Sequence, residues 1–293
     1  MIEVREGRAG ERDAILALRA RCFAGEDPEK QDPRFWEWEF GNGGRSFVAV
    51  DGERVVAHLA FVPQLRMLAV DAMTDLEYRR QHLFSRVVEC ARDTLRESVR
   101  FSCAFQIREA VLPAMVRGGW KVAARAFVLV KALRVPRVLG SSGPRAHPHT
   151  EEPRTREPEE PIPATTRTPA FLHWRFFTNP LWHYTVHAND DAYIITRRTT
   201  LRGLDSVAIA DLGWPKGKER AGRALLREVF AKGRAEGADV AAVLVTLGHP
   251  ALPTLARSGF LPSPHRFRFL VNDFGKPLEQ KRWALTWADT DHL

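Results

Sequence analysis

Two halves of this 293-residue chain carry the same signatures in the same order. Phe35, Trp36, Glu37, Trp38, Glu39, Phe40 and Phe171, Leu172, His173, Trp174, Arg175, Phe176 both read F-x-x-W-x-F. Further on, the stretch from Leu112 to Trp120, LPAMVRGGW, is answered by the stretch from Leu252 to Phe260, LPTLARSGF. Carried back along the chain, the spacing of this second match sets Asp71 beside Asp211 and Arg80 beside Arg220, with His82 falling on Gly222. Other identities are sparse, so the chain reads as a duplicated structural unit whose two copies have diverged. Between them, residues 137–168 combine Gly, Ser, Pro and charge with almost nothing apolar, a composition that cannot build a core. The expected organisation is a first module over 1–136, a linker over 137–168 and a second module over 169–293.

The element pattern follows the same duplication. In the first half, IEVRE reads as a strand, ERDAILALRARCF has the apolar spacing of a helix, and SFVAV and RVVAHLAFV flank Asp51-Gly52 as a hairpin. A strand at LAVDAM follows, then a helix with Leu83, Val87, Val88, Ala91 and Leu95 on one face. Strand FSCAF, a short helix LPAMVR stopped by Gly118-Gly119, and strand ARAFVLVKAL close the half. The second half repeats the later part, with strands AYIITRR, SVAIADL, VAAVLV and RFRFLV and helices RALLREVFAKG and ALPTLAR. It has no obvious first strand and helix. The second copy is therefore expected to be incomplete, with packing against the first as one way to finish its sheet.

The residues with chemical potential sit where the first copy's strand turns into its helix: Asp71, Ala72, Met73, Thr74, Asp75, Leu76, Glu77, Tyr78, Arg79, Arg80, Gln81, His82, Leu83, Phe84, Ser85. A strand end, a basic turn and an immediate helix start present backbone N–H groups and the positive end of a helix dipole, which suits a diphosphate. Arg79 and Arg80 would add charge-assisted contacts. The formal net charge of +8 agrees with an anionic partner, although the basic residues are scattered over both halves and do not point to nucleic acid.

This segment resembles the phosphate loop of the GNAT superfamily of coenzyme A dependent N-acetyltransferases, Q/R-x-x-G-x-G/A between a strand and a helix. Met73 to Phe84 is similar to an M-T-x-x-x-Y-R-R-Q-G-L-F variant of it, and Leu112 to Trp120 to the helix and Gly-aromatic step that close that fold. The resemblance implies an α/β (α+β) protein of two tandem modules, each a mixed, mostly antiparallel sheet flanked by helices. It implies acetyl-CoA or another acyl-CoA as co-substrate, with no metal. Arg79, Arg80, Gln81, His82, Leu83, Phe84 and Ser85 would hold the diphosphate, and Met73 and Thr74, with Asp75, would line the pantetheine and polarise the thioester carbonyl. A neutral amine of a small molecule would attack the thioester directly, and Asp75 or Asp71, or an ordered water, would take its proton. Burial is expected to lift either carboxyl toward neutrality.

The match has gaps. The loop glycine of the superfamily is His82, and the tyrosine that often protonates the leaving thiolate is replaced by Met115. In the second copy the loop reads Glu219, Arg220, Ala221, Gly222, Arg223, Ala224, which keeps small residues but opens with a carboxylate, and Leu255 stands in the tyrosine position. The first copy is therefore taken as the acyl-CoA site, with a decayed binding or regulatory protein as the alternative. Elsewhere, the F-x-x-W-x-F repeat is read as aromatic packing. His183 and His187, on a strand, are too far apart to share a metal, and His147 and His149 belong to the linker. The tail, Trp283, Ala284, Leu285, Thr286, Trp287, Ala288, Asp289, Thr290, Asp291, is expected to pack its tryptophans on the second module. No run of about 18 apolar residues and no apolar leader after MIEVREGRAGERD are present, so a cytoplasmic, non-membrane protein is expected. Cys22, Cys90 and Cys103, odd in number, are read as small buried hydrophobes.

Overall fold

A computed structural model describes residues 1–64, 67–105, 109–134, 167–276, 278 and 283–290. The linker histidines His147 and His149, and Asp291 of the tail, lie outside the described residues. In chain order the elements are β1 (Ile2–Glu6), α1 (Arg12–Cys22), α2 (Pro33–Phe40), β2 (Arg45–Asp51), β3 (Arg54–Val62), β4 (Leu68–Thr74), α3 (Leu83–Ser98), β5 (Ser102–Phe105), α4 (Leu112–Arg117) and β6 (Lys121–Ala132). The second half supplies α5 (Pro169–Leu172), β7 (Thr185–Asn189), β8 (Ala192–Leu201), β9 (Leu204–Gly213), α6 (Glu219–Ala235), β10 (Val240–Thr246), α7 (Leu252–Arg257) and β11 (Leu261–Asn272). Among the described residues, no helix is long and apolar enough to cross a membrane.

The compact units are not the sequence halves. One comprises Met1–Ala123 with Phe267–Lys281, the other Ala124–Arg266 with Arg282–Leu293. The halves exchange their last strands. In the first unit the strands run β1-β2-β3-β4-β5-β11, with Phe269 to Asn272 of β11 antiparallel to β5. In the second the order is β6-β10-β9-β8-β7, and β6, which begins in the first half of the sequence, pairs antiparallel with β10 from Ala126 to Ala132. Each sheet thus takes its last strand from the other copy, and among the described residues the second has no counterpart of β1.

Within the first unit, α3 covers one sheet face. Its buried residues are Leu83, Val87, Val88, Ala91 and Leu95, the helical stripe read from the sequence, and they pack on Phe47, Ala49, Ala57, Leu59 and Phe61. The opposite face receives α1, with Ile15 and Leu18 against Val48, Val50, Val55 and Met73. In the second unit α6 plays the part of α3, setting Leu225, Leu226, Val229 and Phe230 on Ile194, Val207, Ile209 and Val243. The β2–β3 and β8–β9 hairpins close with residues in the left-handed region: Gly52 (φ 60°) in the first, and Arg202 and Gly203 (φ 54° and 80°) in the second.

Candidate functional site

In each unit two neighbouring parallel strands pair briefly and then part. In the first, β4 pairs with β5 only at Leu68 with Cys103 and Ala69 with Ala104, so β4 from Val70 onward has no strand partner on that side among the described residues. In the second, β9 and β10 pair from Ser206 with Val240 to Ile209 with Val243, and then diverge. Each fork places the following turn and helix start at its mouth.

The turn after β4 is held from below by Asp75. Its carboxylate accepts hydrogen bonds from Arg21 Nε and Arg54 Nη2, both at 2.8 Å, and from the Glu77 amide at 3.4 Å. Its own amide donates to the Val56 carbonyl at 2.9 Å. Burial alone would raise its pKa, but the hydrogen bonds from Arg21 and Arg54 outweigh that effect and hold the carboxyl below the ordinary aspartate value. The expected rise toward neutrality is thus reversed at Asp75. Its amide, already engaged by β3, is also not a donor toward the fork.

Beyond this anchor the backbone opens outward. Arg79 is extended, Arg80 is left-handed (φ 67°), and His82 is left-handed again (φ 56°, ψ 15°) as the residue before α3. His82 therefore takes the conformation that the glycine of the resembling motif would supply. Its ring is exposed and makes no capping bond, so it does not fill the turn. The amides of Arg80, Gln81, His82, Leu83, Phe84 and Ser85 have no hydrogen-bond acceptor among the described residues, and the first helical bond runs from the Arg86 amide to the His82 carbonyl at 3.1 Å. A run of free N–H groups at the start of a 16-residue helix, with Arg79 and Arg80 exposed beside it, fits a diphosphate in both shape and charge. Arg117 of α4 reaches the same place, donating to Ser85 Oγ at 3.3 Å. Sequence reasoning did not single out Arg117, nor Arg21 and Arg54, because each comes from an element distant in sequence.

Asp71 sits on a bulge of β4 with φ 49°, where the pairing with β3 shifts register. It accepts from Arg19 Nη1 at 2.6 Å and lies 3.5 Å from Lys30 Nζ, which is also 3.7 Å from Glu39. All four side chains are buried. Next to them His58 is fully buried, and burial lowers its pKa to about 4. The Asp71 carbonyl can only accept, so His58 Nδ1 carries the proton of their 3.1 Å bond and Nε2 accepts from Ser46 Oγ at 3.2 Å. This ion-pair cluster binds α1 and the turn before α2 to the sheet. Met115, in the place of the motif's tyrosine, is 1% exposed. Cys22, at the end of α1, has its thiol pKa pushed up by burial and by Asp75.

The corresponding turn of the second unit is more heavily engaged. The Glu219 carboxylate accepts from the Gly217 amide at 3.1 Å, and its pKa is lowered by a hydrogen bond from its own amide and then by this one. The amides of Ala221 and Gly222 donate to the Lys218 carbonyl at 3.0 and 3.4 Å. The Trp214 indole packs so closely on the first turn of α6 that a Cβ on Gly222 would meet its nearest ring carbon at 2.5 Å. The small residue that looked like room for a phosphate is room for a tryptophan.

The second fork is closed. The Leu285 amide donates to Thr246 Oγ1 of β10 at 3.1 Å, and Thr286 Oγ1 donates to Asp211 Oδ1 of β9 at 2.8 Å. Consecutive residues of the tail therefore bridge the two arms. Arg167 binds Asp211 at 2.9 and 3.0 Å and Asp289 at 2.7 and 2.8 Å, and Tyr193 donates to Asp211 at 2.9 Å. Burial alone would lower the pKa of Arg167, but the two carboxylates hold it well above the ordinary value. Asp71 and Asp211 thus keep the same role, a strand carboxylate paired with arginine, in a unit with an open turn and in one without. His187 contacts Glu228 and Thr196 on the other face.

The architecture is that of the GNAT fold, present twice. A GCN5-related N-acetyltransferase from Anabaena variabilis is similar over 94% of this chain and 73% of its own, with TM-score 0.64 and 14% identity. One from Sphaerobacter thermophilus is similar over 96% and 98%, with TM-score 0.52 and 17% identity. A tandem GNAT protein from the clavulanic acid biosynthesis pathway is similar over 94% of this chain and all of its own, with TM-score 0.57 and 14% identity. No family model matches the chain, and no curated protein matches it.

Proposed function

We propose that the protein is an acyl-CoA dependent N-acyltransferase whose single cofactor site is the first module. The observation that carries this reading is the free-amide turn from Arg80 to Ser85 at the mouth of the β4–β5 fork, in a chain whose fold is that of GNAT proteins. The turn and Arg79, Arg80 and Arg117 hold the diphosphate of acetyl-CoA or another acyl-CoA, and the unpaired edge of β4 from Val70 to Thr74 receives the pantetheine arm. A small-molecule amine attacks the thioester carbonyl carbon as the free base. The C–N bond forms, the C–S bond breaks, and backbone N–H groups of the open strand edge stabilise the oxyanion between. Asp75 and Asp71 are already committed to arginine and to Arg19 with Lys30, so the ammonium proton leaves through water and the thiolate is protonated from solvent. Asp75 acts instead by fixing the turn.

The test is a calorimetric titration with acetyl-CoA, followed by release of free thiol in the presence of an amine panel. One equivalent bound per chain and amine-dependent thiol release are expected. No binding at millimolar acetyl-CoA would overturn the proposal, and binding without thiol release from any amine would leave only the cofactor-binding half.

A further inference from the structure

The tail engages the second fork as a ligand engages a site. Residues 283–290 are all buried, yet they form no strand of the sheet and their only regular turn is Trp287–Asp289. They are held by Asp211 of β9 and Thr246 of β10, on the two arms of the fork, and by Arg167 and Arg175 of the same unit. Thr246 bonds the backbone at Trp283 and Leu285, Asp211 takes the Thr286 hydroxyl, and Arg167 takes the Asp289 carboxylate. Arg175 donates to the carbonyls of Ala288 at 3.3 Å and Thr290 at 3.1 Å. The segment is internally braced for this fit, since the Thr286 amide donates to Asp289 at 2.8 Å and the Ala288 amide to Thr286 Oγ1 at 3.2 Å.

We propose that the β9–β10 fork of the second module is a peptide-binding site whose resident ligand is the chain's own segment Trp283–Thr290. The site reads an apolar peptide through backbone carbonyls, a hydroxyl and one carboxylate. Arginine gives planar, two-pronged recognition of the carboxylate, while the Trp283 and Trp287 side chains, both buried, supply the contact area. The inference concerns a module to which the acyl-transfer reading assigns no cofactor, so neither stands or falls with the other.

The experiment uses the full chain with Thr286→Ala and Asp289→Ala together, which loosens the segment and leaves Asp211, Arg167, Arg175 and Thr246 in place. Hydrogen exchange of the amides at 285–289 is expected to quicken at least tenfold. A fluorescent peptide of sequence WALTWADT is then expected to bind the variant at least tenfold more tightly than the unaltered chain, and a peptide with Asn in place of its acidic residue at least tenfold more weakly. Unchanged exchange, or a freed segment with no binding of the added peptide, would overturn the proposal. So would a second equivalent of acetyl-CoA in the variant, because the fork would then be a cofactor cleft. Asp289→Asn alone is the milder variant for the same readouts, and an unfolded second unit in both would show the segment to be core and not ligand.

Discussion

The turns before α3 and α6 occupy the same place in two copies of one fold and have opposite character. Before α3, two left-handed residues, Arg80 and His82, leave a row of amides unspent. Before α6, a carboxylate in the first helical position, the Lys218 carbonyl that takes the Ala221 amide, and an indole ring engage or cover part of the helix start. Motif resemblance ranks them the other way on one criterion, since the second keeps its glycine. The lesson is that a phosphate site is defined by unsatisfied donors, and a small residue is only one means of leaving room for them.

The comparison can be broken most forcefully at the paired aspartates. Asp71→Ala and Asp211→Ala each remove one partner of a buried ion pair and should each cost about 3–5 kcal/mol of stability in urea unfolding. An Asp71→Ala protein of unchanged stability that has lost turnover would instead make Asp71 the catalytic base. Next in size, Arg79→Ala with Arg80→Ala should weaken acetyl-CoA binding by about 3 kcal/mol or more, two charge-assisted hydrogen bonds at about 1.5 kcal/mol or above each. Arg220→Ala with Arg223→Ala should change it less than about twofold, as expected of an exposed and a half-buried charge away from the ligand. Equal losses in calorimetry would erase the distinction between the turns.

Each unit also buries one histidine with a depressed pKa, His58 in the first and His249 in the second, both at about 4 because burial disfavours the charged ring. The unfolded chain takes up these protons near pH 6.5, before the folded state does. Stability is therefore full above about pH 6.5 and falls toward pH 4, by about 1.4 kcal/mol per pH unit for each ring. Chemical denaturation across that range should show the slope, reduced by half when either ring is replaced by glutamine. The smallest effect is expected at the turn itself. His82→Gly relieves a left-handed non-glycine residue and should stabilise the first unit by about 1 kcal/mol without weakening acetyl-CoA binding. A loss of affinity would show that the imidazole contacts the ligand.

Much of the architecture was legible because it depends on local period and composition. The α3 stripe, the Gly52 hairpin, the two LP-x-x-x-R helices and the apolar strands follow from spacing that neighbours in sequence impose on one another. The strand exchange was not legible, since β6 and β11 have the same pattern whichever sheet they join. The composition of the tail predicts tryptophan packing, and Trp283 and Trp287 are buried; its closure of the fork has no signal in sequence, because it depends on Asp211 and Thr246.

The amino-acid order by itself determined that the chain is a duplication with a basic strand-turn-helix segment in its first copy, because repeats and periodicities are properties of the order of residues. Which turn keeps free donors, and whether Asp71 and Asp75 are bases or anchors, was decided only by tertiary structure. Those properties depend on what Arg19, Arg21, Arg54, Trp214 and the C-terminal segment bring from far along the chain, and hydrogen-bond satisfaction and desolvation exist only once those groups are in place.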